Sequence, residues 1–294
     1  MRKLKKATDT ATESSASTSP AVAYAPVAAT GGIGFSANRK DLLAAVKRVA
    51  GFTDRRSSMP VLADIAIKAT AGHITIAATD LNHAAAHSCA AWFARAPGMV
   101  TLNAKAFADL LKRLPDGEVT VRAADGHTVE VAIGTLTATM EGRHARDYPK
   151  LPAILPDDPA LDLVTVDAGE LVRMIDAVKY AICKDETRFH LNGILLESDG
   201  ETARMVATDG HRLAMVTSGT LGGFRLAAGL ILPCKAITEL GKLLRKGTAE
   251  IGMLGASLVV RQSGTTVAIR PIDAQFPPYA QVIPTDNRRL VTVD

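Results

Sequence analysis

Three places in the sequence hold side chains of the kinds that do chemistry. The first is His83-x-x-x-His87 with Cys89 two residues on. On a helix, residues four apart share a face, and such a trio would suit zinc. The segment HAAAHSCA reads instead as the continuation of an alternating strand. Four strand residues span roughly 13 Å, too far for ligands that must each lie about 2 Å from one ion.

The second place is Ala207-Thr208-Asp209-Gly210-His211-Arg212-Leu213-Ala214, where Asp209 and His211 have the chemistry of a general-base pair. The same octapeptide also reads as a strand entering a tight turn, with Gly210 supplying backbone freedom and Asp209 bonding locally. No Ser or Cys nucleophile motif accompanies it, and the chain has no phosphate-binding loop. The third, Gly31-Gly32-x-Gly34, precedes no dinucleotide-binding unit. Cys89, Cys183 and Cys234 are far apart, odd in number and lack C-x-x-C spacing, which argues against a disulfide framework or structural zinc site. No catalytic residue, metal or cofactor is expected, and binding is the expected function, with a hydrolase using Asp209 and His211 as the enzyme alternative.

The elements that would position these residues occur twice. KDLLAAVKRVAG (40–51), a strand around 61–68, HITIAATDL (73–81), NAKAFADLLKRL (103–114), EVTVRAADGHTVEVAIG (118–134) and RDYPKL (146–151) form one pass. GELVRMIDAVKYA (169–181), NGILLES (192–198), ARMVATDGHRLAMV (203–216), PCKAITELGKLLRKG (233–247), EIGMLGASLVVRQSG (250–264) and QFPPYAQVIP (275–284) form the second. Ala78-Thr79-Asp80 returns as Ala207-Thr208-Asp209, and Ala104-Lys105-Ala106 as Cys234-Lys235-Ala236. Internal repetition of this kind means two copies of one unit. Each copy has two helices with apolar residues at helical spacing, set among alternating strands, so the expected class is α+β with tandem domains of two helices on antiparallel sheet. The expected divisions are a disordered tail over 1–34, domains over 35–155 and 156–285, and the first strand of a further repeat over 286–294. That last strand, Leu290-Val291-Thr292-Val293-Asp294, is identical to Leu163-Val164-Thr165-Val166-Asp167, which opens the second copy.

The 294 residues are 47% hydrophobic but only 4% aromatic, which suits two aliphatic cores. With neither a long apolar run nor a signal-like start, a cytoplasmic protein is expected. The net charge of +4 is unevenly placed, because helices expected over 38–50, 103–114, 167–182 and 234–246 carry thirteen basic and six acidic residues. Their solvated faces would form a positive side suited to sequence-independent contact with nucleic-acid phosphates.

The octapeptide ATDGHRLA, preceded by LNGILLES and followed by FPPYAQVIP, closely resembles the bacterial sliding clamp, the beta subunit of DNA polymerase III. The resemblance covers about residues 35 to 294. It implies a DNA-clamp fold in rings of six similar domains, helices inside and sheets outside, and a processivity factor rather than an enzyme. The implied partners are double-stranded DNA, the DNA polymerase III catalytic subunit, the clamp loader and other clamp-motif proteins. Carried over by position, the peptide-binding groove would use Leu191, Thr208, Gly210, His211, Arg212, Leu213, Pro277 and Val282. DNA contacts would come from Arg56, Lys184 and the helix residues Lys47, Arg48, Lys105, Lys112, Arg113, Lys179, Lys242 and Arg245.

Members of that family have three domains and close as dimers, whereas this sequence is expected to stop one strand into the third. Ala138 and Met140 also stand where well-known members have larger aromatic and aliphatic residues at the ring interface. Three readings of assembly follow: a truncated clamp, a trimeric ring of two-domain chains, or a decoy that binds clamp partners without encircling DNA.

Overall fold

Polar caps followed by apolar residues at helical spacing set three of the four helices in the computed structural model. It describes residues 33–284 apart from 71, 91–92, 124–126, 152–161, 220 and 222. Strand β1 (Ile33–Asn38) runs directly into α1 (Arg39–Val49), where the Asn38 side chain accepts from the Lys40 N–H and Leu42, Ala45, Val46 and Val49 form the buried face. Asn103 likewise caps α2 (Ala104–Arg113), and Asp167 caps α3 (Ala168–Val178) by accepting from the Glu170 N–H. Such caps each contribute on the order of 1 kcal/mol. The fourth helix, α4 (Cys234–Leu243), follows Pro233, which offers no capping side chain.

The first unit continues as β2 (Asp64–Thr70), β3 (His73–Thr79), β4 (His83–Ala90), β5 (Phe93–Ala96) and β6 (Gly98–Asn103) before α2, then β7 (Glu118–Ala123), β8 (Thr128–Ile133) and β9 (Leu136–His144). The second unit repeats this order without a counterpart of β5: β10 (Leu163–Asp167), α3, β11 (Gly193–Ser198), β12 (Ala203–Thr208), β13 (Leu213–Ser218), β14 (Leu230–Pro233), α4, β15 (Thr248–Leu254), β16 (Ser257–Gln262) and β17 (Thr265–Ile269). All strand pairings given for these elements are antiparallel.

Alternation decides which strand residues enter the core. In β7, Val119, Val121 and Ala123 are buried while Glu118 and Arg122 face solvent. These side chains meet Phe35, Phe107 and Leu111 in one apolar cluster that continues through both units. Truncating a fully buried member such as Leu111 to Ala costs about 2–5 kcal/mol.

One sheet crosses from unit to unit, in the order β10-β15-β16-β17-β4-β3-β2-β6-β9-β8-β7-β1-β5, and a second holds β13-β12-β11-β14. The crossing is the β17 to β4 pair, with Thr265 opposite His87 and Ile269 opposite His83. At the same junction Lys235 Nζ, on α4, donates to the Thr53 carbonyl at 3.0 Å and the Asp80 carboxylate at 2.5 Å.

The structure revises several expected boundaries. Ile33, only 4% exposed, lies in β1 inside the stretch assigned to the tail, because β1 needs that residue in its pairing with β7. The strand expected from 61 begins at Asp64, since Pro60–Ala63 forms a single 3-10 turn. Three helices end earlier than expected. Lys179–Ala181 forms a 3-10 turn after α3, Leu114 is extended after α2, and Leu244 is extended after α4. The expectations for 1–32, for the boundary at 155/156 and for the strand over 286–294 lie outside the described residues.

Candidate partner-binding site

The Asp209 octapeptide is a hydrogen-bonded turn. Asp209 Oδ1 accepts from the N–H of His211 and of Arg212, both at 3.0 Å, and its other oxygen accepts from Arg212 Nε at 3.0 Å. Thr208 Oγ1 accepts from the Gly210 N–H at 3.1 Å and donates to the Arg212 carbonyl at 2.8 Å. Gly210 sits at φ +88°, which only a residue without Cβ adopts freely. The backbone amides of His211 and Arg212 hold the Asp209 carboxyl below its usual range, so it is an ionised turn-former. The His211 contact is through its backbone.

The first unit builds the same turn. Asp80 Oδ1 accepts from the Asn82 and His83 N–H groups, Thr79 Oγ1 accepts from the Leu81 N–H and donates to the His83 carbonyl, and Leu81 takes φ +76°. A turn made twice, once without the neighbouring histidine of the octapeptide, is architecture rather than a catalytic pair.

Beside the Asp209 turn lies a second apolar cluster. Buried Leu195, Val206 and Ile231 form its floor, with half-buried Leu213, Ile272, Ala274, Phe276 and Tyr279 over them. The segment over this sheet is held by Tyr279, whose hydroxyl donates to Glu197 Oε2 at 2.5 Å and accepts from Arg204 Nη1 at 3.0 Å. Burial and then Glu197 push the Tyr279 phenol upward, which keeps it a donor.

Of the eight groove residues named from the sequence, Thr208, Gly210, His211, Arg212 and Leu213 are consecutive in space around this turn, and Leu213 joins the cluster. Pro277 is half-buried in the covering segment, its carbonyl accepting from the Tyr279 N–H at 2.7 Å, and Val282 at its end is 69% exposed. Leu191 is buried, its carbonyl accepting from the Cys183 N–H. Arg212 lies over the exposed Tyr180 ring, 5.6 Å from its centroid, close enough for a cation–π contact. Phe276, Tyr279 and the three floor residues were not singled out from sequence, although the alternation Leu195, Glu197 and the FPPY motif carry the signal.

The ten basic residues named from the sequence divide into three groups. Lys105 and Lys112 share Asp109, Lys179 pairs with Asp176, and Lys242 with Glu239, at 2.6 to 3.6 Å. These pairs sit one helical turn apart and locally neutralise the expected positive face. Among the described residues, Lys47, Arg113, Lys184 and Arg56 have no ion-pair partner. Arg48 is half-buried near His87, and Arg245, beyond the end of α4, donates to the Leu244 carbonyl. Arg56 lines a cleft of about 460 Å³ with Arg55, Asp54, Asp80, Asn82 and Lys235 at the junction between units.

His83 and His87 face the same junction. His87 Nδ1 lies 2.9 Å from Thr265 Oγ1, and burial followed by the nearby Arg48 charge depresses it to about 4. Cys89 is pushed up to about 11, mainly by burial. Among the described residues no group of three or more His, Cys, Asp or Glu is placed to hold a metal ion.

Profiles for the DNA polymerase III beta subunit match in two successive parts, the N-terminal domain over residues 33–152 and the central domain over 165–278. The beta sliding clamp of Caulobacter vibrioides is 32% identical over 268 residues, covering 87% of this chain and 70% of that protein. The chain belongs to the DNA polymerase III beta subunit family. Another relative, the Escherichia coli beta sliding clamp, is 28% identical over 85% of this chain and 68% of its own length. Among solved structures, the Pseudomonas aeruginosa sliding clamp bound to griselimycin has 30% identity and a TM-score of 0.79, covering 88% of this chain and 69% of that one. The griselimycin-bound sliding clamp from Bartonella birtlesii also gives 0.79, at 28% identity, over 87% and 69%. Its relatives are named as sliding clamps, accessory proteins of replication rather than enzymes, and this chain is one of that kind. No described helix is long and apolar enough to cross a membrane.

Proposed function

We propose that this chain binds duplex DNA without sequence specificity and tethers DNA polymerase and other clamp-binding proteins through the face beside the Asp209 turn. The observation that carries this reading is half-buried Leu213 and Phe276 packed on an apolar floor, with half-buried Pro277 and exposed Val282 in the same covering segment and polar Thr208, His211 and Arg212 in the adjoining turn. A small apolar pocket with few polar groups suits Leu or Phe anchors of an extended peptide, and anchors of this sort carry most of the affinity. Of the ten basic residues named from the sequence, Lys47, Arg113, Lys184 and Arg56 are placed among the described residues to meet phosphates. Cations that merely exchange with counterions permit sliding.

The test is fluorescence anisotropy with a labelled peptide ending in Leu and Phe anchors, alongside DNA binding across a salt series. Leu213→Asp should weaken the peptide at least tenfold and leave DNA binding unchanged. Lys47→Ala or Arg113→Ala should reduce the salt slope by about 1 without affecting the peptide. Peptide binding indifferent to Leu213→Asp would overturn the reading. Peptide binding without retention on circular DNA would make the chain a regulator that occupies clamp partners off the ring.

A further inference from the structure

The repeated turn meets the end of a helix differently in the two units. In the first, the 3-10 turn Ala50–Phe52 follows α1 with Gly51 at its middle; in the second, Lys179–Ala181 follows α3 with Tyr180 at its middle. His83 and Arg212 are matched as well, each presenting the carbonyl to which the turn threonine donates. The first pair is sealed at the junction between units. Glu239 of α4 lies so close to Gly51 that a Cβ there would collide with it, and His83 is buried. The second pair is open, with Tyr180 at 59% exposure and the Arg212 side chain at 56%.

Arg212 is held from two directions. Its Nε donates to Asp209 Oδ2 at 3.0 Å, and its guanidinium carbon stands 5.6 Å from the centroid of the Tyr180 ring. Among the described residues its two Nη groups have no partner. A guanidinium whose plane is set in advance loses little freedom when it grips a planar anion. We propose that Tyr180 is a positioning residue for partner binding: its ring holds the Arg212 fork beside the apolar face, and the fork reads a carboxylate next to the apolar anchors of the bound peptide. This rests on the partner-binding function proposed for that face.

Charge complementarity identifies the group that is read. Arg188 Nη1 reaches the Asp209 carbonyl at 3.4 Å, so a second guanidinium lies against the same turn, and exposed His211 stands between. The acid of the turn is already consumed within it. Asp209 Oδ1 accepts from the His211 and Arg212 N–H groups and Oδ2 from Arg212 itself. Asp185, 3.9 Å from Arg188 Nε and half exposed, offsets little of the charge. The turn therefore offers donors and positive charge, which an acidic side chain complements.

The intact chain is titrated with two labelled peptides that share Leu and Phe anchors and differ only in an Asp or an Asn beside them, and the Arg212 Nε–H signal is followed by nitrogen-edited NMR. The natural chain should prefer the Asp peptide by about three- to fivefold at low salt. Tyr180→Ala should bring the two peptides within about twofold of each other, and Tyr180→Phe, which keeps the ring face, should restore the preference. The ring-current shift of the Nε–H signal should vanish in Tyr180→Ala and persist in Tyr180→Phe. A merely structural role for Tyr180 would weaken both peptides alike and leave their ratio unmoved.

An Asp-to-Asn ratio unchanged by Tyr180→Ala, or not restored by Tyr180→Phe, would overturn the proposal. So would a loss confined to DNA binding, which would make the ring a contact for nucleic acid. If neither peptide binds, the carboxylate role falls together with the partner-binding function of this face, and the Nε–H signal still decides whether the ring holds the guanidinium. Peptides that bind through Leu213 without distinguishing Asp from Asn would leave that function standing and remove this one.

Discussion

The two units use one turn and surround it differently. At Asp80 and at Asp209 the same backbone hydrogen bonds are made to the same two side chains, yet the apolar faces beside them diverge. Where the second unit has Leu195, Val206 and Leu213, the first has Ala66, Ala77 and Ala84, all buried. Ala77 and Ala84 are covered by Val259 and Ala268 of the second unit, and Leu151 packs there as well. Tyr148-Pro149-x-Leu151 and Phe276-Pro277-x-Tyr279 are the matching covering segments; Tyr148 is buried, whereas Phe276 and Tyr279 stay half-buried. Duplication has kept the frame and changed the exposure, so a face sealed by a neighbour in one unit is only half-buried among the described residues of the other.

That contrast can be broken most strongly at the turns themselves. Asp80→Ala removes the acceptor of two backbone N–H groups and the partner of Lys235, from a side chain only 9% exposed, and should cost about 2–4 kcal/mol in urea unfolding. Asp209→Ala, at 22% exposure with an exposed Arg212 as partner, should cost clearly less than Asp80→Ala. Equal losses would mean that the junction adds nothing to the first turn.

Acid should act on the first unit's edge. His87 is held near 4, so the folded protein resists protonation there while the unfolded chain accepts it near 6.5. The stabilisation from neutral His87 is present above pH 6.5 and is lost as pH falls toward 4. His83, depressed by burial, acts in the same sense. Melting temperatures should therefore drop more steeply over that window for the natural protein than for His87→Gln; parallel curves would refute the assignment.

A smaller effect is expected at the covering segment of the second unit. Tyr279→Phe loses the hydroxyl that joins Glu197 and Arg204, for about 1 kcal/mol, and should raise hydrogen exchange around Phe276. Unchanged exchange would show that apolar contact alone holds the segment. The smallest change is a sharpening one. Leu81 occupies at φ +76° the position that glycine occupies in the second turn, so Leu81→Gly should be neutral or stabilising by at most about 1 kcal/mol, and Gly210→Leu destabilising by a similar amount.

Much of this fold was legible because its signals are local. Asn38, Asn103 and Asp167 mark helix starts, apolar spacing marks buried faces, and the recurrence of Ala-Thr-Asp marks the duplication. The turn at Asp209 was equally readable from Gly210 and its flanking strand. The pairing of His87 with Thr265 was not, since its partners are 178 residues apart and no local pattern specifies which edge meets which. Lys235 was counted among solvent-facing helix charges for the same reason, because periodicity identifies the face of a helix but not the neighbour that covers it. The pairing of Lys105 and Lys112 with Asp109 was within reach, given their spacing of four and three along α2.

The most direct test of the second unit as the open one is a hydrogen-exchange footprint of the labelled peptide on the intact chain. The account predicts protection confined to the Thr208–Leu213 turn and the 276–282 segment, with the matching Thr79–Ala84 turn and Tyr148 unchanged. Protection of the first unit's turn, or of both turns alike, would contradict it.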